Sequence, residues 1–155
     1  MKRWIIIILA LIIALSIGII LYKNNPPTIK TANRLYQKNK NQIDTVVNFL
    51  ENAEYSSIII DKSYKTMNAD YETVEISDEN TQKALKDLYD RNVNIFFFKT
   101  DGDIQLRIYI KNKIRYWIAK STCNTVPDVQ YATEIIPMDE DGWYFIIADS
   151  TKGKG

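Results

Sequence analysis

From Trp4 to Tyr22 the chain reads WIIIILALIIALSIGIILY, nineteen residues without a charge, and few folds can absorb such a run. At about 1.5 Å of rise per residue it extends roughly 28 Å as a helix, close to the ~30 Å hydrocarbon thickness of a bilayer. Nine Ile and four Leu lie in it. Each favours insertion by roughly 0.3–0.6 kcal/mol near the bilayer centre, enough to outweigh Ser16 and Gly18. A helix buried in a globular core is rarely apolar on every face for this length. Trp4 and Tyr22 stand at the two ends, where amphipathic rings favour the headgroup level, and Lys2, Arg3 and Lys23 mark the charged borders. The expectation is a single transmembrane helix over 4–22 that acts as a signal anchor, with the lipid bilayer as its partner.

A signal peptidase cut after Gly18 is the rival reading, because Ser16 and Gly18 are small residues two apart, and it would yield a secreted domain. Ile19, Ile20 and Leu21 would follow the cut directly with no polar stretch before it, which favours retention. The only cysteine is Cys123, so a lipidated N-terminal cysteine is excluded. Lys2, Arg3 and the amino terminus oppose Lys23, Lys30 and Arg34 in a nearly level tally. A downstream domain of this size translocates largely regardless of charge, so residues 1–3 are expected in the cytoplasm and the domain outside the cell membrane.

Lys23 to Gly155 is 133 residues, enough for one domain with a proper core. It carries 18 basic against 19 acidic residues, so no global field draws it onto nucleic acid, which is excluded as a partner on this ground. One cysteine forbids an intramolecular disulfide, so packing must hold the domain together. Residues 23–30 form a linker in which Pro26-Pro27 ends any helix arriving from the anchor. The domain proper spans 31–150, and 151–155 is expected to be a disordered tail.

Leu35, Ile43, Val46, Val47 and Leu50 recur at helical spacing over 31–52, giving one long helix or two separated near Asn39. Ser57 to Asp61 and Glu72 to Ser77 read as strands joined by Tyr64 to Asp70. Ser77 is the expected N-cap of a helix whose apolar stripe is Ala84, Leu85, Leu88 and Tyr89, stopping at Arg91-Asn92. Asn94 to Lys99 is apolar on both faces, as an interior strand would be, and a two-residue Asp101-Gly102 turn sets Phe96 opposite Arg107 and Phe98 opposite Gln105. Ile104, Leu106, Ile108 and Ile110 alternate with polar residues. A three-residue Lys111-Asn112-Lys113 loop would pair Ile110 with Ile114, Ile108 with Tyr116 and Leu106 with Ile118. A last hairpin, Thr133 to Met138 and Trp143 to Ala148, turns at Asp139 to Gly142, with Pro137 marking an edge. The fold class is therefore α+β, two helices packed on an antiparallel sheet of about five to seven strands. Small membrane-tethered domains of the NTF2-like kind have a similar outline.

The chain has no histidine, which removes the commonest general base and zinc ligand, and with them Ser-His and Cys-His arrangements. Cys123, among Ser121, Thr122, Asn124 and Thr125, reads as an ordinary thiol in a loop. Asp139, Glu140 and Asp141, and Asp101 with Asp103, could face a hard cation, yet acidic residues with glycine are also what hairpin tips require. No phosphate-binding loop, dinucleotide fingerprint or metal-ligand spacing occurs, so no cofactor and no metal are implied. The best local constellation is Arg107, Tyr109, Lys111, Arg115 and Trp117 on one sheet face. Its expected register sets Tyr109 beside Arg115 and Arg107 beside Trp117, which suits an anionic ligand or an acidic partner. Phe96 opposite Arg107 suggests that part of this face lies under a helix, where the Lys and Arg stems would serve only to cover apolar surface.

The closing segment Asp141-Gly142-Trp143-Tyr144-Phe145 resembles the ends of uncharacterised small exported or membrane-anchored proteins of low-GC Gram-positive bacteria, a likeness of some fifteen residues that implies no activity. Together these readings give a single-pass bacterial membrane protein with a non-enzymatic extracytoplasmic interaction domain, an accessory or assembly subunit of a membrane complex with a membrane or cell-envelope protein as partner. The alternatives are a module that binds or senses an anionic polymer or small ligand, and a carboxylate- or metal-dependent enzyme, which the lack of histidine disfavours.

Overall fold

A computed structural model describes residues 25–91, 93, 95–100, 103–111, 113–121, 126–127, 129 and 131–151. The expected anchor with Trp4 and Tyr22, the residues before it, Cys123 and residues 152–155 lie outside the described residues. Among the described residues no helix is long and apolar enough to cross a membrane.

Among the described residues three helices and eight strands follow in the order α1 (Ile29–Lys38), α2 (Lys40–Asn52), β1 (Ser57–Asp61), β2 (Thr66–Ala69), β3 (Glu72–Glu75), α3 (Glu79–Asp90), β4 (Phe96–Thr100), β5 (Asp103–Lys111), β6 (Ile114–Lys120), β7 (Ala132–Pro137) and β8 (Trp143–Asp149). The α+β class stands, but the counts of two helices and five to seven strands were each too low. Polar Asn39 divides the first helical stretch: it caps α1 through its backbone N–H to the Tyr36 carbonyl, and its side-chain amide donates to the Leu35 carbonyl at 2.9 Å. Thr28 and Thr31 form a capping box that starts α1 directly after the two prolines. Asp78, rather than Ser77, caps α3 by accepting the Thr81 N–H at 2.7 Å, and hydrogen bonding to the Thr81 side chain and backbone holds its carboxyl below the usual range.

The extra strand is β2. Asp70 and Tyr71, at φ 45° and 73°, turn the chain in two residues and pair Ala69 with Glu72. Positive φ at both central positions matches the twist that a tight hairpin needs. Asp70 also accepts from the Ser57 N–H at 2.8 Å and from the Ser56 hydroxyl at 2.8 Å, which stitches this turn to the start of β1 and lowers the carboxyl pKa.

All neighbouring strands are antiparallel, in the order β3-β2-β1-β4-β5-β6-β8-β7. The helices cover one face only. Ile43, Val46, Val47 and Leu50 of α2 and Leu85 and Leu88 of α3 are buried with Ile58, Ile60, Phe97, Leu106, Ile118 and Phe145 of the sheet. Each fully buried side chain of this kind contributes about 1.5–3 kcal/mol of transfer free energy. The junction of α1 and α2 is fastened at the β7–β8 turn, where the Tyr36 and Trp143 rings lie 4.6 Å apart and Lys40 pairs with Glu140. Burial, joined by a hydrogen bond from its hydroxyl to Asp44, pushes the Tyr36 phenol up to about 12.

Candidate functional site

The face turned away from the helices holds a second, smaller cluster of Trp117, Ala119, Val129, Ile146 and Ala148. A cavity of about 460 Å³ is bounded by Ile59, Phe96 and Phe98 on one side, by Trp117 and Val129 on the other, and by the guanidinium groups of Arg107 and Arg115. Strand alternation explains the placement. Phe97 points to the helices, so Phe96 and Phe98 point away from them, and the pairings Phe96↔Arg107, Phe98↔Gln105 and Ile59↔Phe98 bring their side chains onto one surface. The Phe96 and Phe98 pairings are those that a two-residue connection from Thr100 to Asp103 requires. Among the described residues no helix covers this face, contrary to the sequence expectation, because α1, α2 and α3 pack on the Phe97 side.

Arg107 is half-buried and held by rings. Its guanidinium carbon lies 4.1 Å from the Phe96 ring centre and 5.9 Å from that of Trp117. Among the described residues no carboxylate comes within 4 Å of Arg107 or Arg115. Burial lowers the Arg107 pKa from its ordinary value, the charge of Arg115 lowers it further, and the charge of Asp61 partly opposes both. Arg115 is exposed at the mouth, and Gln105, 5% exposed, supplies a neutral amide to the lining. Trp117 is 7% exposed, and its indole N–H has no hydrogen-bond acceptor among the described residues.

The five residues singled out from sequence are therefore split. Arg107, Arg115 and Trp117 share the cavity, whereas Tyr109 and Lys111 are carried to the helix side. The cause is a β-bulge between Arg107 and Tyr109: Leu106↔Ile118 and Arg107↔Trp117 hold as expected, and beyond them Tyr109 pairs with Tyr116, Ile110 with Arg115 and Lys111 with Ile114. The connection between β5 and β6 thus has two residues, with Lys113 at φ 69°, and Ile108 is the extra residue. Tyr109 sits edge-on to Tyr116 at 5.8 Å rather than beside Arg115. Ile59, Val129 and Tyr131 were not singled out from sequence. The signal for an apolar floor was the run Phe96 to Phe98, which has no polar side to spare.

A wider groove of about 700 Å³ separates α2 from α3, lined by Asn41, Asn48, Phe49, Asn52, Asn80 and Lys83. Asn41, Asn48, Asn52, Asn80 and Lys83 are all exposed to solvent, and the half-buried Asp78 and Asp87 complete the charged lining of this groove. Among the described residues no three or more Cys, Asp or Glu side chains are grouped to hold a metal ion. Glu140 is taken up by Lys40 and by Gln37, and these contacts lower its carboxyl pKa. No protein-family model, no curated protein and no solved structure matches this chain.

Proposed function

We propose that this protein is a binding domain tethered to a bacterial membrane by residues 4–22 and displayed outside it, which holds an anionic ligand between Arg107 and Arg115. The observation that carries the reading is a half-buried guanidinium, 4.1 Å from the Phe96 ring centre and 5.9 Å from that of Trp117, with no carboxylate partner among the described residues and a second guanidinium nearby. Taking a charge out of water is costly unless a counter-charge meets it, and guanidinium forks match carboxylate and phosphate oxygens. Arginine stays protonated and so binds and orients rather than shuttling protons, which favours binding over catalysis.

A second reading, an accessory or assembly subunit of a membrane complex, is favoured by Ile110 and Tyr131. They are 50% and 39% exposed; Ile110 pairs with Arg115 and Tyr131 lines the cavity. Such apolar side chains around a pocket suit a partner surface.

Two measurements test the first reading. Alkaline carbonate extraction should leave the full chain in the membrane pellet, and release into the supernatant overturns the tether. Retention on immobilised polyphosphate should fall at least tenfold in the R107Q/R115Q variant with the circular dichroism spectrum unchanged, and equal retention overturns the site. Recovery of a stoichiometric protein in mild detergent, retained by that variant, selects the second reading.

A further inference from the structure

Resting on the reading of the cavity as an anion site, we infer that its ligand is an amphipathic monoanion, a carboxylate or phosphate ester carrying an apolar body of about ten non-hydrogen atoms. Charge alone would be served by arginines on an open surface. Here Arg107 shares a cavity with the apolar side chains of Ile59, Phe96, Phe98, Trp117, Val129 and Ala148, beside the polar Thr100, Gln105, Arg115 and Ser150. A hydrated inorganic ion gains nothing from such walls, whereas an alkyl or aryl group gains in proportion to the area it buries. At roughly 30 Å³ for each water, a chamber of about 460 Å³ has room for some fifteen waters, and a body of about ten atoms with its head fills most of it.

Polar groups of the lining, Thr100 and Ser150 included, can orient one end of a ligand. Arg107 offers its fork next to the Phe96 and Trp117 rings, Arg115 stands at the mouth, and Gln105 adds an amide. The ligand is thus held head to arginine and body along Ile59 and Phe98. Two sources offer this chemistry, a dissolved amphipathic acid and an anionic lipid of the bilayer that carries the domain.

The test uses the full chain in phosphatidylcholine nanodiscs, titrated calorimetrically with butanoate, hexanoate, octanoate, octanol, octylammonium and inorganic phosphate, with protein-free nanodiscs and the R107Q variant as references. Each added methylene should tighten binding about threefold to fourfold, giving on the order of a hundredfold between butanoate and octanoate. Octanol and octylammonium should not bind, and R107Q should weaken octanoate at least tenfold. Butanoate or phosphate binding as tightly as octanoate overturns this inference while leaving the anion site intact. No binding by any anion, or R107Q binding as wild type, overturns both. Should R107Q unfold, R107K takes its place, with a smaller loss expected from a point charge without the fork. Repeating the octanoate titration in nanodiscs containing phosphatidylglycerol separates the sources: at least tenfold competition assigns the ligand to the bilayer, and an unchanged affinity assigns it to the dissolved pool.

Discussion

Replacing Arg107 by methionine should make the protein more stable while abolishing its affinity for anions. In the folded domain the guanidinium is half-buried, faces the like charge of Arg115 and has no carboxylate within 4 Å among the described residues. Methionine retains the apolar stem over Phe96 and Trp117 and removes the charge. Two cation-π contacts are lost, each about 0.5–1 kcal/mol in a partly exposed setting, the 5.9 Å contact at the lower end. Against this, the desolvation of a polar group without a full set of partners is relieved, about 1–3 kcal/mol, together with the repulsion from Arg115. The balance is a stabilisation of about 1 kcal/mol, a rise in Tm of roughly 3–5 °C for a domain of this size. Urea and thermal unfolding of both proteins, with and without octanoate, provide the assay. Octanoate should raise the midpoint of the wild type and leave R107M unmoved. Destabilisation of R107M by more than 1 kcal/mol in the absence of ligand would refute the reasoning, because it would mean that the guanidinium is satisfied within the fold.

Three further outcomes follow from the scaffold. Tyr36 and Tyr89 both have phenols pushed up to about 12, chiefly by burial, so between pH 10 and 12 they ionise in the unfolded chain first. The unfolded state then holds fewer protons than the folded one, so stability should fall with rising pH across that window, by about 2 kcal/mol for the buried Tyr36; a flat urea midpoint from pH 9.5 to 12 would contradict it. Asp78→Ala removes the α3 cap and should cost about 1 kcal/mol at neutral pH, read from the urea midpoint, and an unchanged midpoint would rule out the capping role. Phe97→Ala, at a position with no exposure, should cost about 3–5 kcal/mol, whereas Phe98→Ala on the half-buried cavity side should cost less and weaken octanoate binding; the reverse order would misplace the two faces of β4.

Most of the scaffold was legible because its apolar periods are strong. Ile43, Val46, Val47 and Leu50 repeat at helical spacing, and Ile104 and Leu106 alternate with Gln105 and Arg107; both patterns survive in the structure. The short connection after Thr100 also fixed the pairing of Phe96 with Arg107. β2 escaped notice because Thr66 to Ala69 lacks branched and aromatic weight, and its turn is Asp-Tyr rather than a glycine pair. The bulge was not legible for a physical reason. Ile108, Tyr109 and Ile110 offer apolar surface in either register, so matching apolar residues across the hairpin could not decide between a two- and a three-residue turn. In the observed register Tyr109 lies against Tyr116 beside the helix-side core, a tertiary contact that no local pattern contains. The site shares this history: its cations were visible in the sequence, but the chamber around them depends on which flank of the sheet the helices leave bare.

The outermost strands also limit how this molecule can meet others. β3 is four residues long and carries Glu72 and Glu75, both solvent-facing, while β7 carries Glu134 and ends at Pro137, which has no N–H to donate. Short length, carboxylates and proline are the devices that stop a foreign strand from zipping onto a rim. Growth of the sheet by lateral addition is thereby discouraged at both ends, so a visitor has to approach broadside, toward the helical layer or toward the arginine-lined hollow.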